Sequence, residues 1–312
     1  MELRPSIAGT WYPDSPRELI EELDEYLEAA RAAGAAAPAG GGAGTRADAA
    51  PGTRAGAEGA TPAAAGGARE MVGLMSPHAG LCYSGPVAAH AYARLRGTHP
   101  ELVALVGPLH SGGGRAVMTS AYQAFGTPLG AVPVDSEAAA ALSRALHTRA
   151  GRGLEPVQDA GEHSLEIQLP FLQRVLGEFR LLPVMLTRPG AATVEALGHA
   201  LADVLRGRPA LLVASSDLSH FFPQDDADRL DRELLRRVAA FDPAAVLSAE
   251  AEEAGQACGA AAVAAVMWAA RDLGADRATV LRHASSGDVT GDFHSVVGYA
   301  AAAFWRPAAG AA

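Results

Sequence analysis

The sequence predicts an α/β fold: a mostly parallel central sheet with helices on both faces. Three observations carry this. Apolar runs at 71–75, 102–106, 180–186 and 210–215 are continuous, without the polar alternation of a half-exposed strand, as expected of strands buried on both faces. Helical patterns fall between and after them, at 86–95, 136–147, 162–176, 193–206, 224–239 and 257–273. Strand and helix signals therefore alternate at the spacing of β-α-β units, whose strands lie parallel.

Taken in order, the first element is a helix beginning after Ser15. Ser15 can cap it, Pro16 suits its first position and Glu18 completes a capping box. Leu19, Ile20, Leu23, Tyr26 and Leu27 then form one apolar stripe. Residues 33–69 are a low-complexity insertion of Ala, Gly, Pro, Thr and Arg, with almost no large apolar side chain to offset the entropy of ordering. Disorder is expected there, although the first alanines can prolong the helix. The strand-helix series follows, with a second helix expected to open near Pro86. It closes on ATVLRHASS and HSVVGYAAAAFW, two further strands of open direction. The whole of 1–312 reads as a single domain interrupted by the insertion.

Bulk properties exclude several function classes. A formal net charge of -10 argues against nucleic acid and anionic membranes as partners, since both favour a basic face. The N-terminus lacks an apolar core of signal-peptide type, and the Ala-rich stretch at 257–270 falls short of the ~20 residues of a membrane span. A cytoplasmic protein acting on a small molecule is expected. Two cysteines, Cys82 and Cys258, exclude a disulfide scaffold.

Polar residues of catalytic type gather just after the apolar runs. His78 follows MVGLMSP, His110 follows LVALVGPL, and Asp217 and His220 follow LLVASS. In a parallel sheet such positions converge on one rim, where open α/β folds bind ligands. Two histidines at matching places suit an imidazole metal site, against the plainer reading of hydrogen-bonded structural residues. Cys258 sits near a predicted helix N-terminus, where the dipole favours a thiolate; the alternative is a small buried cysteine. Cys82 is read as structural. Asp217 and His220 are spaced so that the carboxylate can orient the imidazole as an acid or base. In GEHSLEIQLP, Glu162 and Glu166 share a helical face and His163 lies one turn from Glu166.

The chain resembles the Memo-like family, also described as AmmeMemoRadiSam system protein B. The likeness rests on RPSIAGTWYP at 4–13, SPHAGLCYSG at 76–85, GPLH at 107–110, EHSLEIQLPFL at 162–172, SSDLSH at 215–220 and ACG around Cys258. It implies a fold related to class III extradiol dioxygenases and a mononuclear site of two histidines and one cysteine that binds iron, as Fe(II), or copper. By motif the ligands are His78, His110 and Cys258. Asp217 and His220 match the SSDxxH segment lining the same pocket, and Glu162 and His163 match EHS. The family's system name implies AMMECR1-like and radical SAM proteins as partners. A thiolate in place of the dioxygenase carboxylate is a softer ligand, so ring cleavage does not carry over, and zinc, ranked behind iron and copper, stays open.

Overall fold

The structure is a computed structural model describing residues 1–36, 68–110, 116–158 and 162–308. The expectation for 33–69 falls largely outside these residues, as do the three glycines after His110. In chain order the elements are β1 (Glu2–Leu3), α1 (Pro16–Ala36), β2 (Arg69–Ser76), α2 (Leu81–Tyr92), β3 (Leu102–Pro108), β4 (Val117–Ser120), β5 (Ala124–Thr127) and β6 (Gly130–Pro133). Next come α3 (Ser136–Ala150), β7 (Glu155–Val157), α4 (His163–Glu166), α5 (Leu169–Leu176), β8 (Arg180–Leu186), α6 (Ala191–Leu205), β9 (Ala210–Ser215) and β10 (His220–Phe222). The chain closes with α7 (Gln224–Ala239), α8 (Pro243–Ser248), α9 (Ala260–Asp272), β11 (Arg277–Ser285), α10 (Gly287–Thr290) and β12 (Val296–Pro307).

The four predicted apolar runs are β2, β3, β8 and β9, and they pair in parallel in the order β2-β9-β3-β8. Further strands extend both sides: β12 lies antiparallel beside β2, with β10 and β11 antiparallel on β12, and β4 lies antiparallel beside β8, with β7 parallel to β4 beyond it. The two late strands of open direction are thus β11 and β12, both antiparallel. A separate three-stranded sheet joins β1, β5 and β6.

Alternate residues of the central strands feed two cores, which is why their sequences show no polar alternation. Val103 and Leu105 of β3, with Leu211 and Val213 of β9, enter the layer beneath α1, α2 and α5. Leu102, Ala104 and Val106, with Leu212 and Ala214, enter the layer beneath α3, α6 and α9. At the start of α1 the Glu18 N–H donates to Ser15 Oγ at 3.4 Å, the serine half of the expected capping box, and the helix buries Leu19, Leu23 and Leu27. Each of those leucines contributes ~1.5–3 kcal/mol of burial. The helix runs to Ala36, so the first alanines do prolong it. On the other face α6 and α9 approach closely at Gly198, where a Cβ would overlap Trp268 and the Ala265 carbonyl.

Three expectations need correction. The second helix begins at Leu81, ahead of Pro86, because Gly80 in an extended conformation already ends the preceding turn. The region 162–176 is two helices, α4 and α5, with the break at Ile167–Gln168, where Gln168 turns inward to bond the Pro77 carbonyl just after β2 and Ser215 of β9. Cys82 lies in the first turn of α2 and is exposed, not a core residue. No helix among the described residues is long and apolar enough to cross a membrane.

Candidate metal centre

The carboxyl ends of β2, β3 and β9 open on one rim of the sheet, and His78, His110 and Asp217 leave from them within two residues of the last strand position. Cys258 comes from the loop two residues before α9. One donor atom from each of His78, His110 and Cys258 lies within 4.8 Å of the other two. His78 Nε2 is 3.2 Å from Cys258 Sγ, and the His78 and His110 rings stand edge to face with centroids 5.2 Å apart. His78 is buried, whereas His110 and Cys258 are partly accessible.

Hydrogen bonds fix which imidazole nitrogen faces the cluster. The Ser215 hydroxyl donates its one proton to the Ser164 carbonyl at 2.6 Å and accepts from Gln168 Nε2 at 2.8 Å. It therefore meets His78 Nδ1, 3.0 Å away, as an acceptor, which places the His78 proton on Nδ1 and leaves the Nε2 lone pair toward Cys258. Gln168 is held in turn by the buried Tyr92 hydroxyl at 2.6 Å and donates to the Pro77 carbonyl. His110 is set in the same way by Glu162, whose carboxylate accepts from its Nδ1 at 3.1 Å and from its backbone N–H at 2.6 Å. Glu162 also caps α4 by accepting the Ser164 N–H at 2.8 Å. With its oxygens so engaged it acts as an orienting group for His110, although it lies within metal-ligating reach of His110 and His163 as well.

The electrostatics follow from burial and these bonds. Burial first, then the neighbouring His110 and His163, push the His78 imidazole well below the ordinary histidine value, so it is neutral and ready to bind a cation. The Glu162 hydrogen bond raises His110. Burial alone would raise the Glu162 carboxyl, but the His110 and Ser164 hydrogen bonds outweigh it and bring it to about 2. Burial pushes the Asp217 carboxyl up to about 6 and lowers His163. Burial, then the Asp217 charge, raises the Cys258 thiol, overriding the helix-dipole effect anticipated for it. A cation bound beside it would reverse that balance by stabilising the thiolate.

The remaining sequence-selected residues surround this cluster in ways the spacing did not specify. His163 stacks on His110 with centroids 4.7 Å apart and planes 11° from parallel, and Trp11 covers its other side at 4.4 Å. Asp217 does not orient His220. Its carboxylate accepts the His78 backbone N–H at 2.7 Å, and the His220 Nδ1–H donates instead to the Leu218 carbonyl at 2.8 Å. The local turn brings that carbonyl nearer to the ring than the Asp217 side chain. Glu162 and Glu166 do not share a helical face, because Glu162 is the cap of α4 and precedes the helix. Glu166 points away and grips the N-terminal loop. It accepts from the Ser6 N–H and Oγ at 2.8 and 2.6 Å, the Ile7 N–H at 3.1 Å and the Tyr12 hydroxyl at 2.6 Å.

Residues 54–303 match the family described as Memo-like protein. This chain belongs to the Memo-like family. It is 37% identical over 311 residues to a MEMO1 family protein of Methanopyrus kandleri, covering 98% of this chain and 100% of that one. A MEMO1 family protein of Methanothermobacter thermautotrophicus is 37% identical, covering 95% and 98% of the two chains. One of Thermotoga maritima is 32% identical, covering 97% and 99%. In this Memo-like chain Trp11, Gln168 and Ser215 also reach the site. Trp11 was within reach of sequence reasoning through the RPSIAGTWYP segment, and Ser215 through SSDLSH. Gln168 was within reach through EHSLEIQLPFL in the same way, although locally it is only a polar residue in an apolar stretch.

Proposed function

We propose that this chain holds one iron or copper ion between His78 Nε2, His110 Nε2 and Cys258 Sγ and uses it in a redox reaction on a small substrate. What carries the reading is the convergence of those donors, with the Nδ1–H of each histidine already spent on Ser215 or Glu162. Two neutral imidazoles and a sulfur form a mixed, rather soft donor set suited to iron or copper. A bound ion of this kind would supply Lewis acidity and one-electron chemistry, with positions left open for substrate.

The surrounding side chains have separable tasks. Glu162 and Ser215 hold the ligand rings in the binding tautomer. His220, with Nδ1–H on the Leu218 carbonyl, presents Nε2 as proton acceptor or, once protonated, donor. Asp217 anchors the His78 backbone and, with its raised carboxyl, can share a proton with its neighbours. His163, held between Trp11 and His110, limits water access on one side of the cluster.

Metal analysis of protein purified without added metal tests the reading, combined with spectroscopy under anaerobic and aerobic conditions. Roughly one iron or copper per chain, with a spectrum that changes on admitting oxygen, is expected. Zinc with no redox response would overturn it and favour a second reading, zinc-activated hydrolysis, because a three-ligand set with an open position also suits that ion. A third possibility, a scaffold for AMMECR1-like and radical SAM partners, would gain if Cys258→Ala abolished metal binding and left the biological role intact. The hydrogen-bond argument yields its own expectation: Ser215→Ala should weaken metal binding by roughly 10- to 100-fold, by freeing the His78 tautomer. A competition titration showing wild-type affinity would remove Ser215 from that role.

A further inference from the structure

A second buried ion-pairing group lies outside the metal cluster. Asp231 is on the inward face of α7 among Ala227, Leu230, Leu234 and Leu235, where a leucine would be the ordinary occupant. It is 1% exposed. Burying a carboxylate there costs several kcal/mol unless every oxygen is used, and a hydrophobic residue of similar size would be as stable or more so. Its oxygens are used: Oδ1 accepts the Ser219 N–H at 3.0 Å and Oδ2 accepts from His283 Nε2 of β11 at 2.9 Å. Gly298 of β12 is part of the same arrangement, since a Cβ there would overlap the Asp231 carboxylate.

The Ser219 N–H and the Leu218 carbonyl belong to one peptide unit. Its carbonyl receives the His220 Nδ1–H at 2.8 Å, and its N–H gives to Asp231. The neighbouring backbone is clamped to β12 as well, the Leu218 N–H donating to the Gly298 carbonyl at 2.8 Å and the Gly298 N–H to the Ser219 carbonyl at 2.9 Å. A peptide plane cannot rotate one of its ends without the other. We propose that Asp231 is a positioning residue: through the Leu218–Ser219 peptide it fixes the orientation and the tautomer of the His220 imidazole. The carboxylate also polarises that peptide, making the Leu218 oxygen a better acceptor and favouring the proton on His220 Nδ1. His283 and Gly298 serve Asp231, the first by satisfying its second oxygen, the second by leaving it room.

The inference rests on the reading of His220 as the proton carrier beside the metal centre, but it is tested without any reaction. Long-range proton-nitrogen NMR spectra of metal-free protein with labelled histidine report the tautomer of each neutral ring. The wild type is expected to show His220 in the Nδ1–H form alone. Asp231→Asn, which keeps an acceptor for Ser219, should retain that form while the Ser219 amide proton moves upfield. Asp231→Leu should lose the single-tautomer pattern at His220, with His78 and His110 unchanged and metal affinity within about twofold of wild type. A general loosening of the fold would move all three histidines together. If Asp231→Leu does not fold, Asp231→Asn alone decides, through a coupled shift of the Ser219 amide and His220 Nδ1 signals. His220 in the Nε2–H form in the wild type, an unchanged His220 in Asp231→Leu, or unmoved signals in Asp231→Asn would each overturn the proposal. Absence of iron or copper would overturn the function reading and leave the tautomer result standing.

Discussion

Cys258→Ala should lower affinity for the bound metal by at least a hundredfold, about 2.7 kcal/mol or more. The lower bound comes from comparison: disturbing a residue that merely orients a ligand costs roughly 10- to 100-fold, and removing one of three donors costs more. His78→Ala should behave alike, because its buried ring supplies one of the three donors. His110→Ala should cost at least roughly tenfold, although Glu162 would keep its bonds to the backbone N–H at that position and to Ser164. Cys258 adds a pH signature. Burial raises its thiol, so in the free protein it carries a proton that the metal must displace. Lowering the pH refills that site and weakens binding; raising it strengthens binding, by about tenfold per unit while the free thiol stays protonated. Cys258→Ala should remove that one-proton dependence together with the affinity. Titration curves and pH slopes identical to wild type would mean that the sulfur is not a ligand.

How far the sequence alone reaches can be judged from these same residues. The four parallel strands were legible because burial on both faces forbids polar alternation, and the placing of His78, His110 and Asp217 just after them followed from the geometry of parallel sheets. The short strands were harder. β10 is three residues long and β4 to β7 are three or four, too short for any periodicity to establish itself. The convergence of Cys258 with the histidines, 180 positions apart from His78, is a tertiary fact that local pattern does not encode. Spacing was least informative for the carboxylates. Asp217 and Glu166 both sit three residues from a histidine, yet each carboxylate turns to backbone N–H groups of another segment. Buried carboxylates are satisfied by whichever donors the fold delivers, and those donors are mostly backbone.

Glu166→Leu should destabilise the protein by about 3 kcal/mol or more and lower its melting temperature by roughly 6 °C or more. The carboxylate is 2% exposed and receives every hydrogen bond that ties residues 6–12 to α4. Losing it strands the Ser6 and Ile7 amides and the Tyr12 hydroxyl, each costing about 1–3 kcal/mol if left buried without a partner. The loop can escape that penalty only by leaving its place, and it then gives up the burial of Ile7 and Tyr12. Undocking also lifts Trp11 from His163, which exposes the ring stacked on His110. Stability and site accessibility should therefore fall together: Trp11 emission should shift to the red, and a small quencher should reach it more readily. Glu166→Gln should fall between wild type and Glu166→Leu. Its carbonyl can still accept two of the bonds, while its amide nitrogen faces the Ser6 N–H, donor to donor. A wild-type melting temperature and unshifted Trp11 emission in Glu166→Leu would show that the N-terminal loop is held by its apolar contacts alone.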